Sequence, residues 1–251
     1  MRRRRAGCIQ NPAMRNATRK ERRLRRLIVR TCEALYAKNM VAATDGNISA
    51  RLGPDKVLIT PSNSSKGAVR SGDLLVCDLK GRPLSGRGRP SVEVHLHLAA
   101  YRQRRDIGGV VHAHPPMVSA FTVAGREEWL NEPILPEVVA HLGRIPAVPY
   151  FTPGSRVLAD ALELEIRNHD VVLLLQHGAV AVAKDPWAAY LLMEKLEHFA
   201  MIVKAARELA GAGKMRRLNA REVRELRPPG QAGRRPAPQG SEEGVAKPCR
   251  F

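Results

Sequence analysis

Two histidines two positions apart, His112 and His114, close an apolar run in "VVHAHP", residues 110–115. Such a run reads as a buried strand, and on a strand side chains at i and i+2 share one face. Both imidazoles therefore point the same way, at a separation that suits a single metal ion, and Pro115 ends the strand beside them. Taken alone, the pair reads at least as readily as two hydrogen-bonded polar residues at a strand end. A third histidine changes the balance. His177, in "LLLQHGAVAV", lies between two apolar strands, with Gly178 expected to supply a sharp bend and a close backbone approach. A polar ring there needs a partner, because burying one unpaired costs about 1–3 kcal/mol. Three neutral imidazoles around one divalent ion would all be satisfied. Three histidines with an exchangeable fourth position is the pattern of catalytic zinc rather than structural zinc. Histidine ligands suit manganese or cobalt as well.

Glu93 supplies the candidate fourth group. In "PSVEVHLHLAAY" it falls in the first turn of a helix whose start is marked by Pro90 and Ser91. A glutamate there can simply complement the helix dipole. It can also ligate a metal at rest and become an acid or base once substrate displaces it. His95 and His97 form a second His-x-His, but on a helix such positions diverge, so this pair is read as uninvolved; His141, His169 and His198 have no comparable context. The segments "DGNIS" and "TPSNSSKG" place small hydroxyl and amide residues at turns, where exposed backbone N–H groups can cradle an anion. Turn chemistry alone favours the same residues.

The elements that must position these groups follow from periodicity. Residues 19–39 read as an amphipathic helix with Leu24, Leu27, Ile28, Cys32 and Leu35 on one face and Arg/Lys on the other. "NISARL", "KVLITPS", "DLLVCDL" and "IGGVVHAHP" read as strands, with "KGRPL" a turn. Helices are expected from Ser91 to about Arg105, over 116–124, from Ser155 to Asn168, and from Asp185-Pro186 to about Ala210. The stretch between 125 and 144 reads as irregular, "IPAVPYFTPG" as extended, and "VVLLLQHGAVAVA" as two strands broken at His177-Gly178. Helices alternating with strands give an α/β class with a central sheet flanked by helices.

The formal charge of +18 over 251 residues invites a nucleic-acid reading, but its distribution argues against one. Residues 1–30 hold 12 Lys/Arg against a single acid, Glu21, and 214–251 hold 10 against 4, whereas 31–213 is almost balanced at 20 against 19. The basicity belongs to the ends. Both are expected to be disordered basic tails, 1–16 and a Pro/Gly-rich 212–251, around a folded unit of 17–211. A nucleic-acid partner is not expected. The N-terminal arginine run is followed by no apolar stretch, and no segment approaches a membrane span, so neither a signal peptide nor a membrane partner is expected. Cys8, Cys32, Cys77 and Cys249 are scattered and form no Cys-x-x-Cys, which suits a reducing cytoplasm.

Together, "GNISAR", "LITPS", "PSVE", "VVHAHP", "PYFTPGS" and "QHGAVAVAKD" resemble the class II aldolase/adducin family over about residues 20–205. The resemblance implies a three-layer α/β/α fold with a central, largely antiparallel sheet, assembled as a fourfold homotetramer with sites between subunits. It implies Zn2+ held by His112, His114 and His177, with Glu93 both ligand and acid/base, and C–C cleavage of a hydroxy-ketone through an enediolate. Decarboxylation of a hydroxylated acid is the alternative on the same scaffold. A non-catalytic binding module of the adducin kind is the minor one, disfavoured by the retained histidines and glutamate. Family phosphate positions fall on Thr44, Asn47, Ser62, Asn63, Ser91 and Val92. Asn63 stands where the family carries glycine, and Val92 where it carries serine. Leu135, with Glu137 nearby, stands where the aldolase has a tyrosine that assists proton transfer. These departures predict a weaker or differently shaped anion pocket.

Overall fold

The computed structural model describes residues 17–211 and 215–226. One eight-stranded sheet runs through the molecule in the order β4-β3-β2-β1-β5-β8-β7-β6. Its strands are β1 (Asn47–Arg51), β2 (Lys56–Ile59), β3 (Leu75–Asp78), β4 (Pro83–Ser85), β5 (Gly109–Ala113), β6 (Ala147–Val148), β7 (Val171–Leu174) and β8 (Gly178–Ala183). Every pairing is antiparallel except that of β6 with β7, so the sheet is mixed at one edge and antiparallel elsewhere.

Alternation along the strands divides the core into two layers. Ile48, Ala50, Val111, Ala113, Ala179 and Ala181 face one side, where α1 (Arg19–Ala37), α3 (Pro116–Val123), α4 (Pro136–His141) and α6 (Pro186–Ala210) cover them. Val110, Val172, Val180 and Val182 face the other, under α2 (Val94–Gln103) and α5 (Arg156–Ile166). The family's three-layer arrangement is thus present, and the site residues follow from the same alternation. Asn47 and Ser49 lie out of phase with Ile48 and Ala50, and His112 out of phase with Val111 and Ala113, so all three face α2.

Several helix ends match their sequence signals. The Asp185 side chain accepts from Ala188 N–H with Pro186 at the first helical position, and Ser155 Oγ accepts from Leu158 N–H. Other expectations need correction. Glu93 is the N-cap residue of α2 rather than part of its first turn. Residues 125–144 hold a short 3-10 segment (Glu127–Asn131) and α4, while the extended stretch after them narrows to the two residues of β6. The prolines and the short apolar periods there leave little to read. Arg25, on the polar face of α1 by pattern, is fully buried, donating to the carbonyls of Ser71 and Leu74 and paired with Glu21 at 2.7 Å.

The tails lie outside the described residues except for 215–226. That segment contains a short helix, α7 (Ala220–Glu225), closed by an Asn219/Glu222 capping box. Leu218 N–H donates to Pro133 O and Arg217 pairs with Glu132, so this part of the expected tail docks on the domain. No helix among the described residues is long and apolar enough to cross a membrane.

Candidate metal and acid–base site

His112 closes β5 between two neighbours in register, Asn47 on β1 and Val180 on β8. His114 follows just past the strand end, its N–H bonded to Met40 O. His177 arrives from the β7–β8 turn, where its N–H bonds to Leu174 O. The bend expected at Gly178 is taken instead by Gln176, which adopts φ 57°. Gly178 serves the close approach alone: a Cβ there would sit 2.4 Å from Ala113 O and 2.8 Å from the His114 ring.

The three rings converge. Their centroids lie 4.7–5.0 Å apart, and one nitrogen from each falls within 4.8 Å of the others. His112 Nδ1 lies 3.0 Å from Ala179 O, a partner that can only accept, so Nδ1 carries a proton and Nε2 is the nitrogen turned inward. That Nε2 lies 3.1 Å from His114 Nε2. Glu93 reaches the same point from the start of α2, with Oε2 3.2 Å from His112 Nε2 and Oε1 3.5 Å from His177 Nε2. Glu93 is 6% exposed, and its Oε1 is buried without a hydrogen-bond partner. A buried carboxylate with one oxygen left without a hydrogen-bond partner is costly unless a cation joins it. The donor set, three imidazole nitrogens and one carboxylate, fits zinc.

Electrostatics prepare the rings for a cation. Burial, then the neighbouring rings His112 and His177, push His114 down to about 3. Burial and His112 push His177 down to about 4. Burial pushes the Glu93 carboxyl up, but His112, the hydrogen bond from Asn47 and His177 overrule it and hold it well below the usual carboxylate range. For His112 burial favours the neutral ring, and the adjacent Glu93 carboxylate overrules it and raises the pKa. At neutral pH the site offers an ionised carboxylate and at least two neutral imidazoles, the protonation states that ligation requires.

The residues expected to hold an anion differ in what they contact. Ser91 is buried and its Oγ accepts from Glu93 N–H at 3.3 Å, so it fixes the glutamate as well as facing the loop. Ser62 N–H bonds to Arg89 O, tying the turn after β2 to the segment that leads into α2. Asn63 adopts φ 55°, the left-handed conformation that a glycine would take, so its turn survives the replacement. Val92 is 69% exposed and does not crowd the buried part of the site within this chain. Thr44 is exposed, and its carbonyl accepts from Lys66. Asn47 is buried and its side chain is spent on Glu93 and His97.

Leu135 caps α4 and packs against the core layer under α6, while Glu137 is exposed. Neither reaches the three histidines with an interaction within this chain.

Two residues escaped the sequence reading. Lys66 is buried, donates to Thr44 O at 2.7 Å and Ser64 O at 2.6 Å, and so ties the two candidate anion loops together. Burial lowers its pKa, offset by Cys32, Asp45 and Glu93. His97, read as uninvolved, is fully buried and bonds Asn47, the residue that contacts Glu93. The signal was in the spacing: Glu93, His97 and Tyr101 recur every fourth residue and line one helix face.

Known proteins resemble this chain in sequence and fold. Residues 26–203 match the sequence profile of the class II aldolase and adducin N-terminal domain. The L-fuculose phosphate aldolase of Methanocaldococcus jannaschii is 35% identical over 174 residues, 69% of this chain and 92% of the aldolase. The 3-oxo-tetronate 4-phosphate decarboxylase of Haemophilus influenzae is 32% identical over 178 residues, 70% of this chain and 84% of the decarboxylase. Among solved structures, Klebsiella pneumoniae YgbL superimposes with a TM-score of 0.76 at 31% identity. That match covers 82% of this chain and 99% of YgbL. With the histidine cluster at the end of β5 and a profile match over most of its length, this chain belongs to the class II aldolase and adducin family.

Proposed function

We propose that the protein is a zinc-dependent lyase that breaks a C–C bond beside a carbonyl in a small phosphorylated polyhydroxy substrate, in the manner of the fuculose phosphate aldolases. The observation that carries this reading is the convergence of His112, His114 and His177, with Glu93 against His112 and His177 and its Oε1 without a hydrogen-bond partner. A divalent metal held by these residues supplies a Lewis acid for the negative charge that develops on the substrate's carbonyl oxygen. Glu93 then moves the proton, with Oε1 as the accepting and donating atom and Oε2 held by Asn47. The loops carrying Thr44, Ser62, Asn63 and Ser91 hold the substrate's anion. Both curated relatives have phosphate in their names, and the turn at Asn63 keeps its backbone geometry, which supports a phosphate there. A homotetramer with sites between subunits agrees with the large apolar side chains left exposed, among them Val92, Tyr150 and Met201. The buried free thiols of Cys32 and Cys77 agree with a reducing cytoplasm.

Decarboxylation of an oxo acid phosphate is the second reading, favoured by two observations. Decarboxylase relatives match further along the chain, 82% of it for the Pectobacterium atrosepticum enzyme. Leu135 also cannot transfer a proton. Aldol cleavage must take a proton from a hydroxyl and return one to carbon, whereas loss of CO2 needs only the second transfer, which Glu93 can make. The test is metal analysis of the purified protein followed by assay on L-fuculose 1-phosphate, 3-oxo-tetronate 4-phosphate and their unphosphorylated counterparts. About one metal per chain, chelator-sensitive release of aldehyde or CO2, and a strong preference for the phosphorylated compound are expected. A protein without stoichiometric metal overturns the reading.

A further inference from the structure

Behind Glu93 a line of polar side chains crosses the sheet face that α2 covers. Asn47 Nδ2 donates to Glu93 Oε2 at 2.8 Å. Asn47 Oδ1 lies 2.5 Å from His97 Nε2, His97 Nδ1 lies 2.6 Å from Ser49 Oγ, and Ser49 Oγ lies 2.8 Å from Tyr101 Oη. Asn47, Ser49, His97 and Tyr101 are all buried. Two come from alternate positions of β1 and two from one face of α2, so neither element could build the line alone.

The direction of every bond is fixed from the Glu93 end. An ionised carboxylate can only accept, so the Asn47 amide must present Nδ2 to it and Oδ1 to His97. Facing a carbonyl oxygen, His97 Nε2 must carry the hydrogen. Burial pushes the His97 pKa down to about 3, with His112 adding to it, so the ring is neutral and has one N–H only. Nδ1 is therefore bare and accepts from Ser49 Oγ–H, and Ser49 in turn accepts from the Tyr101 hydroxyl. The opposite polarity would satisfy Tyr101, Ser49 and His97 equally well. It fails at one point, where Asn47 Oδ1 would face Glu93 Oε2, acceptor against acceptor. The line is thus an orienting device whose setting matters only at the glutamate.

We propose that His97 is a positioning residue for the lyase reaction: its Nε2–H locks the Asn47 amide with a donor toward Glu93 Oε2, leaving Oε1 as the atom free to act. The proposal rests on the reading of Glu93 as the acid/base. Ser49 and Tyr101 accept either tautomer of His97 and fix the position of its ring. Arg51 secures the far end by donating to the carbonyls of Tyr101, Arg104 and Ile107 at 2.7–2.9 Å.

The test compares two variants of the metal-loaded full chain and adds one measurement on the chelated wild type. In His97→Phe the donor is gone, and kcat should fall roughly 10–100-fold, the range that residues behind a ligand shell command. KM should stay within about twofold and metal stoichiometry should not change. In His97→Gln the side-chain amide can donate to Asn47 and accept from Ser49, so most of kcat should return. A merely structural histidine would instead give two variants alike in kcat once equal amounts of folded protein are compared. A folded, metal-replete His97→Phe with wild-type kcat, or equal losses in both variants, overturns the proposal. Nitrogen-15 NMR of the imidazoles in the chelated wild type needs no substrate and should show His97 as the neutral Nε2–H tautomer. An Nδ1–H tautomer overturns the proposal even if the variants fail to fold. If the wild type cleaves none of the substrates, the lyase reading falls while the tautomer still decides whether the lock exists.

Discussion

The chain carries the spacing His-x-His twice, once at the end of a strand and once inside a helix. On β5, the two-residue period brings His112 and His114 to one side, with ring centroids 4.9 Å apart. On α2, the turn of about 100° per residue sends His95 and His97 in nearly opposite directions. His97 enters the core and meets Asn47, whereas His95 is half-buried beside the β3–β4 turn, where a Cβ on Gly81 would lie 3.5 Å from its Cε1. Backbone period, not residue type, decides which imidazoles can share a cation. It does not decide which matter: His97 cannot ligate with the others, yet it bonds the residue that contacts the site's carboxylate.

The largest effect should come from the strand pair and its partner. His112→Ala and His177→Ala each remove a nitrogen from a three-nitrogen set. Metal analysis should show occupancy well below one per chain, and activity should fall by more than the roughly 10–100-fold typical of residues behind the ligands. Full occupancy in both variants would mean the three rings do not hold the ion, and the contrast between strand and helix would lose its basis.

A smaller effect separates the helix pair by acid. The His97 pKa stands at about 3 in the folded chain against an ordinary 6.5, so between those values the unfolded chain binds a proton that the folded chain does not. Its stabilising contribution is complete above pH 6.5 and is lost as pH falls toward 3. At pH 5 the loss is about 2 kcal/mol for this fully buried ring. His114 and His177 act in the same direction, Glu93 joins them at still lower pH, and His112, raised rather than lowered, opposes them. Thermal melts of the chelated protein should therefore drop by several degrees between pH 7 and pH 5, and His97→Gln should flatten that drop. A wild-type melting temperature that holds or rises on acidification would contradict the buried, neutral state of His97.

Much of this was legible in the sequence because the signals were local. "VVHAHP" shows its face alternation and "KDPW" its helix start, and β5 and α6 fall where expected. The clustering of the three histidines was legible for the same reason, since each sits at or beside the end of a readable strand. What stayed hidden is relational. Nothing near Gln176 shows that it would take the bend expected at Gly178, because that depends on how closely β8 must approach Ala113 and His114. Lys66 looks like a surface lysine until the loops carrying Thr44 and Ser64 fold over it. The polar line behind Glu93 needed two half-signals, alternate residues of β1 and every fourth residue of α2, and only the pairing of those elements joins them.

The smallest effect is expected at His95, and it sharpens the comparison most because the residue is only two positions from His97. Its ring lies outside the polar line and outside the cluster of His112, His114 and His177. Burial, Arg156 and Arg102 lower its pKa, so it is largely neutral at pH 7 and no charge is lost with it. Alanine is the better helix former, which offsets part of the packing lost against the β3–β4 turn. His95→Ala should therefore keep one metal per chain, leave kcat and KM within about twofold, and shift stability by no more than about 0.5–1 kcal/mol. A tenfold loss of kcat at His95 would mean that both members of the helical pair communicate with Glu93. The opposite directions that α2 gives them would then not be what separates a positioning residue from a bystander.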